Sequence, residues 1–364
     1  MPERPCRNAR PLARRALLGG LAAGSLGRPR PAGAAELPAN PFRDGVTLLI
    51  AGPAGGRLDR LSGRLAAALG LGLPGGTAIR RIARGGADGV AGANEFAARV
   101  APDGLTALLL PGVTVIDWLA GDSRSHFDAA RFVPVMAGLG SRLVITRPGL
   151  NLTSPGGANG GPAPRVAASR PIGPDLPALL GIDLLGAQPV PVFGLAGVAA
   201  RAALMRGEVD AVLLHGADIA EARLTLGSQG VALFSYGTLD ARGHMVADPA
   251  LPDVPHFPAL YARLFGGPPE GPLYAAWRGI AAAAILDFAL VLPALTPPAM
   301  VALWRQAGNV ALAEPAMQRT AEAEAFRPLA GLDATQCLAS LGASTAALRD
   351  LREWLALRLD WQPG

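Results

Sequence analysis

The sequence predicts an α/β protein built as two doubly wound lobes with a cleft between them. Three observations predict it. A short apolar run, Val46–Ile50, enters a glycine-rich loop and then a stretch with leucine at helical spacing. The same grouping recurs, more loosely, as far as Thr146. Beyond Arg147–Pro164, which is heavy in Gly, Pro, Asn and Ser and predicts a loop or linker, a second series of strands and helices begins.

Val46–Ile50 is uninterrupted and apolar, as suits a strand buried on both faces of a parallel sheet. Gly52-Pro53-Ala54-Gly55-Gly56 forms the loop, and Leu58, Leu61, Leu65 and Leu69 mark one face of the helix that follows. Next come a strand at Ala78–Ile82, a second glycine-rich loop at Gly85–Gly92, a helix at Ala93–Val100 and a strand at Leu105–Leu110. Phe132–Ala137 and Leu143–Thr146 read as strands at a lobe boundary.

The second series runs through a strand at Arg165–Ser169, a helix near Asp175–Gly181, a strand at Gln188–Val192, a helix at Val198–Arg206, and strands at Val209–Leu214 and Val231–Phe234. In Ile280–Leu295, Asp287 and Pro293 interrupt an apolar run too short to cross a membrane. It predicts two buried strands, Gly279–Ala284 and Phe288–Leu292. Thr296-Pro297-Pro298 predicts a long helix capped by Thr296. Leu332–Leu359 predicts a closing helix with Asp333 as its cap.

Every basic residue is arginine, and the 364 residues carry a formal charge of +5. The first 35 residues account for it: seven arginines against Glu3, so the rest has 26 Arg against 27 acids. Nucleic-acid binding thereby loses its electrostatic footprint. The leader itself has the layout of an export signal. Arg14-Arg15 precede the apolar stretch Ala16–Leu26, and Ala32-Gly33-Ala34 offers a cleavage site. The twin arginines, and Arg28 and Arg30 behind the weakly apolar stretch, favour the twin-arginine route to the periplasm. With Cys6 in the leader, Cys337 is left without a disulfide partner and suits a small core residue.

Competing signatures fail on context. Gly70-Leu71-Gly72-Leu73-Pro74-Gly75 has dinucleotide spacing but follows a helix and contains Pro74. A chain without lysine supplies no phosphate-loop lysine. His126, His215, His244 and His256 are scattered, so no metal set is expected, nor any cofactor. No Gly-x-Ser-x-Gly elbow occurs. A binder, not an enzyme, is expected.

The ordered motifs resemble one family, the tripartite tricarboxylate transporter receptors or Bug proteins. Val46–Ile50 leading into Gly52–Asp59 is similar to the family's first ligand loop, Pro-x-Gly-Gly-x-x-Asp. Gly86–Ala93 resembles the second loop, and Ala101-Pro102-Asp103-Gly104-Leu105-Thr106 the turn and strand after it. Gly207-Glu208-Val209-Asp210, Pro249–Pro255, Trp277-Arg278-Gly279, Thr296-Pro297 and Ala313-Glu314-Pro315 continue the match in order. Departures fall at Ala83–Gly86, at the shortened Ser169–Gly173 loop, and at Val190–Gly194, which lacks the family's Tyr and Lys.

The resemblance implies a type II-like periplasmic binding protein. Residues 1–35 would be the signal, 36–141 plus 275–364 lobe one, and 142–274 lobe two. The chain crossings near Leu139–Thr146 and Tyr274–Gly279 would form the hinge. Glycines let backbone N–H groups crowd around an anion, and the following helix adds its free amides and dipole. The expected ligand-binding set is Pro53, Ala54, Gly55, Gly56, Arg57, Asp59, Gly86, Ala87, Asp88, Gly89, Ser169 and Gly194. Asp59 would chiefly brace its loop, while Arg57 and Arg84 could reach a distal carboxylate. The implied function is capture of a small carboxylate by a monomer that delivers it to membrane transporter subunits. The alternatives are an exported ligand-sensing or interaction protein without transport, and a hydrolase on a similar scaffold.

Overall fold

The computed structural model describes residues 40–150 and 163–363. The expected export signal at 1–35 and residues 151–162 of the expected linker lie outside the described residues. Strands and helices alternate from β1 (Val46–Ala51) through α1 (Arg57–Gly72), β2 (Ile79–Arg84), α2 (Val90–Arg99), β3 (Thr106–Leu110) and α3 (Gly112–Ala120) to β4 (Val133–Gly140). Ser141 alone separates β4 from β5 (Arg142–Thr146). The second sheet is then built from β6 (Arg165–Ala168), α4 (Leu176–Leu184), β7 (Val190–Phe193), α5 (Gly197–Met205), β8 (Ala211–His215), α6 (Asp218–Leu226) and β9 (Val231–Ser235).

A two-stranded ribbon, β10 (Thr238–Leu239) and β11 (Met245–Val246), leads to α7 (Phe257–Phe265) and α8 (Pro272–Ile285). The chain then returns to the first sheet as β12 (Leu286–Leu292), α9 (Pro298–Ala313), α10 (Pro315–Glu324), β13 (Phe326–Ala330), α11 (Gly331–Ala339) and α12 (Thr345–Leu359). The first sheet has the order β13-β4-β12-β3-β1-β2, the second β7-β6-β8-β5-β9. Parallel pairs β2·β1·β3 and β7·β6·β8 form one side of each sheet, and antiparallel strands complete it.

Period-two alternation explains why the run in β1 is apolar throughout. Leu48 and Ile50 face one core with α1 and α9, where Leu61, Leu65 and Trp304 are fully buried. Leu49 and Ala51 face the other, with α2, α3 and α8. That second core does not stop at the sheet: it continues through α8 and α12 into α4, Phe234 and Tyr236 of the other lobe. The outer face of the second sheet packs separately on α5 and α6.

Four expectations are corrected. Gly279–Ala284 is the end of helix α8, not a strand, and β12 follows it directly. Ile280–Ile285 is buried on every side, so it carries no amphipathic period, and its four consecutive alanines favour helix. The expected crossing at Tyr274–Gly279 runs through this helix, where the Trp277 indole N–H donates to the Pro177 carbonyl at 2.8 Å. Helix α2 starts at Val90 instead of Ala93, its N-cap Gly89 at φ 74°. Thr296 does not cap α9: its hydroxyl donates to the Pro293 carbonyl, and Pro297 is the cap. Lastly, Leu332–Leu359 is two helices, the second capped by Ser344, while Asp333 lies in the first turn of α11 without capping it. Among the described residues no helix is long and apolar enough to cross a membrane.

Candidate functional site

The C-terminal ends of β1, β2 and β3 lie side by side and place three loops together. In the first, the Gly55 N–H donates to Asp59 Oδ2 at 2.8 Å and the Gly56 N–H to the Pro53 carbonyl at 3.0 Å. Asp59 thus braces the loop, and Arg81 stands 3.7 Å from its other oxygen. In the second, Gly89 is held where a Cβ would meet Thr114 Oγ1 at 2.4 Å and the Ala51 carbonyl at 2.9 Å, so only glycine fits. Asp88 is fully engaged: its carboxylate takes the Val90 N–H and Arg124, and its carbonyl takes the Thr114 hydroxyl. Arg84 points away to Glu95 at the exposed edge of β2.

The second sheet brings Ser169 and Gly194 together at the ends of β6 and β7, where the Gly194 N–H donates to the Ser169 carbonyl at 3.3 Å. The Ser169 N–H and hydroxyl both donate to Asp175 Oδ2, at 2.9 and 2.7 Å. Burial raises the Asp175 pKa, against the pull of those two donors. The next residue, Arg170, crosses to α3, where its Nη2 donates to both carboxylate oxygens of the fully buried Asp117, at 2.8 and 2.9 Å. Burial lifts the Asp117 carboxyl to about 6 despite that partner, with Asp88 and Asp122 adding to the rise.

A cavity of 470 Å³ opens between the two sheets. Its first-lobe wall is Arg57 and Arg60 of α1, Pro111, Gly112 and Val113 at the start of α3, Asp287 of β12 and Glu324 of α10. The other wall is Arg142 of β5, Pro174, and His215–Asp218 at the end of β8. The lobes nearly touch at one edge, where a Cβ on Gly216 would lie 3.5 Å from the Glu324 carbonyl. Of the twelve expected residues only Arg57 lines this cavity. The remaining glycine-loop residues, Ser169 and Gly194 surround the strand ends without reaching it.

Charge in the cavity is paired in a chain. Asp287 sits between Arg142 at 3.1 Å and Arg57 at 2.8 Å, and Arg57 also meets Glu324 at 3.1 Å. Asp287 and Arg142 are both nearly dry, so this pair joins the lobes at the β4–β5 crossing. Partial desolvation, with Arg142 nearby, lowers the His215 pKa and favours its neutral form. In the first turn of α3 the Thr114 N–H donates to the Pro111 carbonyl at 3.1 Å, while the Gly112 and Val113 amides precede the first intrahelical bond and the N-cap Pro111 supplies no side-chain acceptor for them.

Arg142, His215, Asp218 and the start of α3 were missed by sequence reasoning. Asp287 carried a signal, being a lone charge inside an otherwise buried strand. Helix α3 carried none, since Val113, Val115 and Ile116 give a short apolar run with no period of its own. Cys337 is a buried core residue whose thiol is pushed up to about 12 by burial. No group of three His, Cys, Asp or Glu among the described residues could hold a metal ion.

No protein-family model and no curated protein matches the chain. Solved structures do. A TctC solute-binding protein from Polaromonas, without ligand, superposes at TM-score 0.61 and 16% identity over 84% of this chain and 97% of its own. MatC from Rhodopseudomonas palustris, with bound malate, gives 0.50 at 20% identity over 87% and 98%. The periplasmic binding protein BugD gives 0.50 at 18% identity over 86% and 96%. The chain has the fold of the periplasmic solute-binding proteins. These superpositions take in most of the chain, and two of them bear names of the receptor group that the sequence motifs resemble. The two-lobed architecture expected from the motifs is the one observed.

Proposed function

We propose that the protein is an exported solute-binding protein that holds a small carboxylate between its lobes and presents it to a membrane transporter. The observation that carries this reading is the 470 Å³ cavity at the meeting of the two sheets, lined by Arg57, Arg60, Arg142 and the first turn of α3. That volume suits a small organic acid, and the free amides with nearby guanidinium groups suit its anionic end. Support comes from the fold shared with MatC, which holds malate. Residues 1–35 act as a twin-arginine signal and direct the chain to the periplasm. Residues 36–141 with 275–364 form lobe one, and 142–274 form lobe two. The glycine loops at Pro53–Gly56 and Gly86–Gly89, with Ser169 and Gly194, flank the cavity at the strand ends and come within reach of the ligand only when the lobes adjust around it. Binding, without turnover, is the assigned activity, and the protein works as a monomer.

Thermal shift of the purified protein against mono-, di- and tricarboxylates, amino acids and aromatic acids tests the proposal. An acid present at about 100 times its dissociation constant adds roughly 2.7 kcal/mol, and the melting temperature rises by several degrees. A panel in which no acid moves the melting temperature overturns it.

A further inference from the structure

We infer that the cleft selects a zwitterion, an organic acid that also carries an ammonium group. The inference rests on the cleft being the binding site, as proposed above, and goes on to name the ligand's second charge. The inner charges of the cavity are already paired, with Arg142 Nε and Glu324 Oε2 left without a hydrogen bond: Asp287 holds Arg142 and Arg57, and Glu324 takes Arg57 and, at 3.4 Å, Arg64. Two charged side chains in the walls have no partner of opposite sign among the described residues. One is Arg60 of α1, whose hydrogen bond goes to the Gly55 carbonyl. The other is Asp218, the first residue of α6, which makes neither a hydrogen bond nor a salt bridge. They stand on opposite walls, one in each lobe.

The wall charges therefore balance, with Arg57, Arg60 and Arg142 facing Asp218, Asp287 and Glu324. A ligand with two or three carboxylates and no cation finds Arg60 and the first-turn amides of α3 for one carboxylate and places its remaining negative charge beside Asp218. Like charges brought together in a partly desolvated cleft repel. A ligand with one ammonium and a carboxylate meets both open groups at once. Its carboxylate is served by Arg60 and the first-turn amides of α3, its ammonium by Asp218. His215, three residues before Asp218, favours the neutral form and leaves that carboxylate's charge to the ligand. Asp218 also suits the N-terminus of α6 as a helix-dipole partner. That role would affect melting and leave ligand preference untouched, so preference is the readout that separates the two.

Calorimetric titration with matched pairs of acids tests the inference: glutamate against glutarate, aspartate against succinate, and 4-aminobutyrate against butyrate. In at least one pair the amino acid is expected to bind tenfold or more tighter than its partner without nitrogen. Asp218→Asn is expected to bring the two affinities of that pair together, and Arg60→Gln to weaken both members. Acids that bind with no gain from the amino group overturn the zwitterion and leave the carboxylate site standing. So does a preference that survives in Asp218→Asn. If no acid of either kind binds, the proposed function and this inference fall together.

Discussion

Arg170 and Asp117 show what a single residue contributes to holding the lobes together. The guanidinium is partly exposed, whereas the carboxylate it grips is fully buried on α3. Burial outweighs the partner, so the Asp117 pKa stands at about 6, above its ordinary 3.8. The sign follows. The charged form is the costly one in the folded state, so this group lowers stability as pH rises from about 4 through 6, and its cost is complete above that. Arg170→Ala removes the compensation and leaves the carboxylate alone. At pH 8 the variant is expected to lose about 3 kcal/mol, and at pH 5, where Asp117 holds its proton, less than half as much. Chemical denaturation at both pH values measures it, and equal losses at the two would contradict this account. Neither residue was marked by the sequence as part of such a contact. Asp117 sits in a helix that gave no periodic signal, and Arg170 in the loop where the sequence departs from its family pattern. Asp59 was legible because its role is local, a brace four residues from its donor, whereas Gly89 was read only as a loop glycine and not as the left-handed cap of α2.

Helices and strands were legible wherever local chemistry and burial agreed. Strand β1, helix α1 and the parallel strands of the second lobe combine turn glycines with β-branched or leucine runs, and the expected boundaries hold to a few residues. Helix α8 failed because it is buried all round, and burial erases the amphipathic stripe that distinguishes helix from strand. Its own glycine offers a check. Gly279 lies inside the helix, and a Cβ there would meet the Ala343 side chain and the Leu341 carbonyl at 3.5 Å, ordinary contact distances. Gly279→Ala is expected to stabilise the protein by about 0.5–1 kcal/mol through helix propensity and unfolded-state entropy. Gly112, at the start of α3, is the opposite case. A Cβ there would fall 2.0 Å from the Ala283 carbonyl and 2.3 Å from that of Leu286. Gly112→Ala is expected to lower the melting temperature steeply, because backbone must move to admit it. Thermal melts of the pair decide: were Gly279 part of a strand, as the sequence suggested, alanine there would bring no such gain.

At the scale of the molecule, the two sheets are joined more firmly than two linkers would allow. One crossing is the single residue Ser141, and the other is the packed helix α8, with Trp277 stacked on Tyr274 at 5.9 Å and wedged against Phe257. A shared apolar core runs from α3 through α8 to α4, and α12 braces it where the Trp354 indole donates to Asp183 at 2.8 Å. Adjustment around a ligand therefore involves shear along α8 as well as bending at Ser141. The two-lobed plan was readable because it is written in repeated local units. The cavity was not, since its walls come from residues as far apart as Arg57, Arg142 and Asp287, which meet only through the topology.

The central claim is that a small acid binds in that cavity, and filling it is the most direct test. Val113→Trp on α3 and Ala217→Trp on the facing wall each place an indole in the space without removing a charge. Calorimetric titration with the acid that raises the melting temperature most is expected to show one binding site in the wild-type protein. In at least one filled variant that retains the wild-type melting temperature, it is expected to show no heat of binding. Wild-type affinity for the same acid in every filled variant that folds would contradict the account.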